Sequence, residues 1–72
     1  MKISIEYSAA WNYKPRASSL GAELTKEIGA EVELIASSGG VFEIVADGRN
    51  IFSKKSLNRF PEDGEVVSAL KK

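Results

Sequence analysis

A chain of 72 residues has room for a single domain. At that size only about 60% of the unfolded surface is buried, so the core must be thin. The absence of cysteine and histidine excludes disulfides, thiolate metal sites, thiol chemistry and a histidine-assisted triad. Ten acidic and ten basic side chains cancel, which argues against broad attraction to nucleic acid or a membrane surface, and 43% apolar residues exclude disorder.

Met1-Lys2-Ile3-Ser4-Ile5-Glu6 alternates apolar and polar residues and has no continuous apolar run. The expectation is that there is no signal peptide. No stretch approaches the ~20 apolar residues of a membrane span. A soluble cytoplasmic protein is expected, a monomer or weak dimer, with no nucleic-acid or membrane partner, no cofactor and no metal.

Ile3, Ile5 and Tyr7 share one face of a first strand, and Lys2, Ser4 and Glu6 share the other. Asn12 and Lys14-Pro15 then introduce a helix predicted over roughly residues 14–28. Ala17, Leu20, Gly21, Leu24 and Ile28 form its apolar stripe. Ala17 and Gly21 are small enough to let it lie close to a sheet, Glu23 and Glu27 face Lys26 and solvent, and Gly29 is its left-handed stop. Glu31 to Ile35 alternates again as a second strand, which a short right-handed crossover makes parallel to the first.

Ser37-Ser38-Gly39-Gly40 is a flexible turn before the most apolar strand, residues 41–46. That β-rich run would seed a sheet-edge dimer only if it were left uncovered. Asp47-Gly48 signals a hairpin to a fourth strand over residues 49–53. Residues 54–60 read as a loop. Pro61-Glu62-Asp63 then starts a short helix carrying Val66, Val67 and Leu70, with acidic residues at its start and Lys71-Lys72 at its end. The order βαβββα gives an α/β domain spanning residues 1–72. It has a mixed four-stranded sheet and two helices covering one face in a thioredoxin-like arrangement.

The junction Tyr7-Ser8-Ala9-Ala10-Trp11-Asn12-Tyr13-Lys14-Pro15-Arg16 is where such a scaffold places its chemistry, because a helix start presents free N–H groups and a positive dipole end. Ser8 with Lys14 as its base would form a dyad, but a turn serine bonding nearby backbone N–H groups is the favoured reading. Trp11 is expected to fold back on Tyr13 or Phe60 and cover the helix start, the alternative being an exposed anchor for a partner. Tyr13, Lys14, Arg16, Lys54, Arg59 and Phe60, with Lys55, make a candidate partner surface around this junction. Glu31 with Glu33, and Glu62 with Asp63 and Glu65, read as solvated charges rather than a hard-cation site. Gly39-Gly40 precedes no helix and is not a phosphate loop. Phe42, Phe52 and Phe60 read as packing rather than base-stacking platforms.

In sequence the chain resembles the selenoprotein W-like, or Rdx, family. The resemblance runs through Tyr7, Asn12-Tyr13, Pro15-Arg16-Ala17, Leu20 and Leu24, then Gly39-Gly40-Val41-Phe42-Glu43-Ile44 and Asp47-Gly48. It continues through Ile51-Phe52-Ser53-Lys54 and Arg59-Phe60-Pro61-Glu62. It implies a thioredoxin-like fold and a thiol or selenol redox role, carried by a Cys-x-x-Cys or Cys-x-x-selenocysteine pair between the first strand and first helix. It also implies a protein thiol partner or glutathione for redox-competent relatives.

By that register Ser8 and Trp11 hold the two positions of the pair, and neither side chain can perform thiol exchange. The tryptophan codon UGG is one base from UGA, the selenocysteine codon. A substituted or recoded Cys-x-x-selenocysteine chain and a naturally degenerate homologue therefore both remain open. Three classes of function follow: a redox protein by descent, a non-catalytic interaction module using the same turn, and a purely structural domain.

Overall fold

The computed structural model describes residues 1–71. Four strands, β1 (Lys2–Ser8), β2 (Glu31–Ser37), β3 (Phe42–Ala46) and β4 (Arg49–Ser53), form one mixed sheet in the order β2-β1-β3-β4. β1 pairs in parallel with β2 from Lys2 opposite Glu31 to Ser8 opposite Ser37, and antiparallel with β3 on its other side. The apolar run of β3 is therefore interior, and the sheet edges are β2 and β4. At Asp47-Gly48 both residues take positive φ, 49° and 82°, as a two-residue hairpin whose twist matches its strands requires.

The long helix α1 (Lys14–Ile28) has the expected bounds. Its Ala17, Gly21 and Leu24 are buried on the same side of the sheet as Ile3, Ile5, Tyr7, Phe42, Ile44 and Phe52. Gly21 is where helix and sheet come closest: a Cβ there would stand 3.2 Å from Val32 Cγ1. Gly29, with φ 63°, ends the helix by donating its N–H to the Thr25 carbonyl at 3.0 Å.

Two expectations need correction. Residues 54–60 are not simply a loop, because α2 (Lys54–Leu57) makes one short turn of helix there. Ser53 starts it by accepting the Ser56 N–H on its hydroxyl at 3.1 Å, and Asn58 ends it in the left-handed region. The last helix, α3 (Glu65–Lys71), begins after Pro61-Glu62-Asp63, since Gly64 at φ 77° and the Glu65 N–H to Glu62 carbonyl bond form a turn first. The expected position of Lys72 lies outside the described residues. Val66 and Val67 of α3 are buried in the core that α1 covers. The opposite face of the sheet bears Ser4, Glu6, Glu33, Ile35, Glu43 and Val45, and the Glu43 carboxylate there accepts the Lys55 N–H of α2 at 3.3 Å. Among the described residues no helix is long and apolar enough to cross a membrane.

With so thin a core, one large apolar side chain decides the stability. Leu24→Ala is expected to cost about 2–5 kcal/mol because Leu24 is fully buried. Leu57→Ala, at a half-exposed position, should stay within about 0.5 kcal/mol. Urea unfolding followed by circular dichroism measures both.

Candidate functional site at the strand–helix junction

β1 ends at Ser8, where the chain leaves the sheet. The Ser8 N–H donates to the Val41 carbonyl at 3.0 Å, and its carbonyl accepts the Tyr13 N–H at 3.3 Å. Both backbone groups are thus tied down, and the side chain is 0% exposed. Its Oγ has no hydrogen-bond partner. The expectation that this hydroxyl bonds nearby backbone N–H groups is not met, and the Asn12 and Tyr13 N–H groups are held by carbonyls instead. The dyad fails too: Lys14 is exposed at the start of α1 while Ser8 is sealed below the turn.

Ala9–Trp11 form a 3-10 turn, closed by Asn12 in the left-handed region at φ 58° with its N–H on the Ala9 carbonyl. The positive φ suits asparagine, one of the few side-chain-bearing residues that adopts it readily. Trp11 projects from this turn and is 64% exposed. It does not cover the helix start as expected. Its ring lies tilted, 6.4 Å from that of Tyr13. The covering place is taken by Tyr13, whose ring meets Phe60 edge-on at 4.7 Å, while Phe60 in turn meets Phe42 at 5.3 Å.

Two cations sit against this aromatic row. The Arg16 guanidinium lies 4.1 Å from the centre of the Phe60 ring, and the Lys54 ammonium lies 5.5 Å from Phe60 and 5.8 Å from Tyr13. The first turn of α1 contains no acidic residue and its N-cap, Tyr13, provides no side-chain cap. This end of the helix is therefore electropositive through both its dipole and the cations at Lys14, Arg16 and Lys54. Between α1 and residues 60–63 runs an open groove of about 310 Å³, with Leu20, Phe42 and Phe60 as its apolar part, Arg16 as its cation, and Glu23, Glu62 and Asp63 as its carboxylates. A larger hollow of about 570 Å³ lies on the sheet around Lys2, Glu31, Asp47 and Gly48 and includes no residue of the junction.

Arg59 is held differently from the other basic residues. It makes a two-pronged pair with Glu65 at 2.8 and 2.9 Å and also donates to the Phe60 carbonyl at 3.1 Å. The bonds from Arg59, and then the one from the Glu62 N–H, hold the Glu65 carboxyl down to about 2. The structure thus gathers Tyr13, Arg16, Lys54 and Phe60, sets Ser8 and Trp11 at the two ends of one turn, leaves Lys14 exposed beside them, and ties Arg59 to α3. Sequence reasoning missed Glu65 as the Arg59 partner, because an intervening proline and glycine turn hides the approach of two residues six positions apart. Among the described residues no three carboxylates converge as a metal site would need.

A model of the Rdx family matches residues 2–72. Two solved structures are similar over nearly the whole chain. A protein of Bordetella parapertussis is 27% identical with a TM-score of 0.92, covering 97% of this chain and 92% of its own. A selenoprotein W-related protein from Vibrio cholerae is 30% identical with a TM-score of 0.83, covering 97% and 91%. No curated protein matches the chain in sequence.

Three outcomes are expected at this site. Ser8→Ala removes a buried hydroxyl that has no partner, so it should leave stability unchanged or raise it by about 1–2 kcal/mol in urea unfolding. Trp11, the single tryptophan, should be strongly quenched by acrylamide. The depressed Glu65 carboxyl stabilises the fold fully above the ordinary carboxylate value, and this contribution is lost as pH falls toward about 2. The stability difference between the protein and Glu65→Gln, small because the pair is exposed, should shrink across that acid range.

Proposed function

Because the chain belongs to the Rdx family, we propose that it is a redox protein by descent whose reactive pair is replaced, Ser8 standing at the first cysteine and Trp11 at the second cysteine or selenocysteine. The observation that carries this reading is the placement of the two residues. They bound a single short turn between β1 and α1, one fully buried and the other 64% exposed. An exposed sulfur or selenium at position 11 would meet a target, and a sealed thiol at position 8 would resolve the mixed disulfide from behind. A serine hydroxyl is too weak an acid to be ionised by a helix end, and an indole forms no disulfide. As written, the chain performs no thiol exchange. In redox-competent relatives the same surface would receive a protein thiol or glutathione, which suits a reducing, cytoplasmic setting.

A second reading is favoured by Trp11 itself. A tryptophan this exposed, beside Lys14, Arg16 and Lys54, has the composition of a binding anchor, and the turn would then act as a non-catalytic contact for a protein partner.

Insulin reduction with dithiothreitol as electron source separates the two readings. The present chain should show no rate above background. The double variant Ser8→Cys/Trp11→Cys should reduce the target disulfide to two thiols while its own two thiols become one disulfide. In that variant the thiol at position 11 should react first with an alkylating agent, with an acidity above that of a free cysteine. Ordinary acidity and no turnover would remove the redox ancestry from this turn and leave the binding reading.

A further inference from the structure

The two edges of the sheet are not alike. β4 is interrupted by a register shift opposite Ile44 and Val45, begins with Arg49, runs into Lys54 and Lys55, and has α3 packed against it. β2 has α1 packed on one face but no register shift and no flanking basic residues. It contains no proline or lysine and its ladder with β1 is unbroken over its whole length. It also exposes two adjacent large apolar side chains, Leu34 at 36% and Ile35 at 40%. An unbroken edge with exposed apolar side chains beside its two carboxylates, Glu31 and Glu33, is a template for another strand.

The direction of its free backbone groups follows from the ladder. Glu31 donates its N–H to the Met1 carbonyl across the β1–β2 seam at 2.9 Å. In a parallel ladder alternate residues turn both backbone groups the same way. Glu31, Glu33, Ile35 and Ser37 therefore face β1, and Val32, Leu34 and Ala36 present free N–H and carbonyl groups outward.

We propose that this edge pairs antiparallel with β2 of a second copy of the chain, with Leu34 opposite Leu34 on the two-fold axis. Leu34 is the midpoint of Glu31–Ser37, so this register overlaps the full strand. Val32 then meets Ala36 of the other copy, and every outward backbone group finds a partner. Charge excludes the register centred on Glu33. Glu33 lies opposite Ile35 and Glu31 opposite Ser37, whereas sliding the strand to centre on Glu33 would set two carboxylates face to face. On the helix side, Ser18, Gly21, Ala22 and Thr25 of α1 leave a hollow of about 240 Å³ beside Val32 and Leu34, which is room for the second Leu34. The contact is a strand edge well below the ~1,200 Å² of a standard interface, so the association is weak and reversible.

The cysteine-free chain permits a clean test. Facing residues in this register stand with Cα atoms about 5.5 Å apart, within disulfide range. In a glutathione redox buffer Leu34→Cys should form a covalent dimer at least ~10-fold faster than Glu31→Cys, whose counterpart lies at the far end of the partner strand. Sedimentation of the unmodified chain should show a concentration-dependent dimer. Ala36→Pro should abolish it with an unchanged circular dichroism spectrum, because the N–H it removes points away from β1. Equal crosslinking of the two cysteine variants would overturn the proposal. So would a monomer at every concentration, or a dimer that survives Ala36→Pro and is lost in Trp11→Ala.

Discussion

Burial of one face of β1 is the constraint on which the rest of the structure depends. Ile3, Ile5 and Tyr7 point to the same side, and β1 is flanked by β2 and β3, so the only apolar cover available is a helix laid across that side. The right-handed crossover supplies α1 there, and the small residues Ala17 and Gly21 let it settle close to the sheet. Once helix and strand are fixed by this burial, the distance between the end of β1 and the start of α1 is fixed too. The junction at Ser8–Tyr13 inherits its shape from packing that lies below it.

That inheritance explains the contrast between its two ends. Ser8 is the last residue of the strand and is buried although it alternates with Tyr7, so its hydroxyl is sealed in the protein without a hydrogen-bond partner while its own N–H and carbonyl are paired. A buried polar group without a partner is uncommon in a folded protein, and Ser8 is the one side chain of this kind among the described residues. A thiol is a much weaker hydrogen-bonding group and tolerates such a site more readily.

Most of the scaffold was legible in the sequence because local and global preferences agree there. The period-2 strands, the helical stripe ending at Gly29 and the Asp47-Gly48 hairpin each carry a signal that packing has no reason to override. What stayed hidden depends on contacts between distant residues. The four-residue α2 has no period of its own and exists because Ser53 and Asn58 cap it. Trp11 was expected to cover the helix start, but Tyr13 already fills that place against Phe60, a competition visible only in three dimensions. Zero net charge likewise hid the cations that Arg16 and Lys54 set against the Phe60 ring at the junction.

The left-handed residue Asn12 has a further consequence. It closes the 3-10 turn before α1 begins, so the helix takes its first hydrogen bond from Tyr13 and owes nothing to Ala9, Ala10 or Trp11. The turn and the helix are therefore built separately, and the side chains of Ala9, Ala10 and Trp11 can be exchanged while the frame that presents them goes on folding as before.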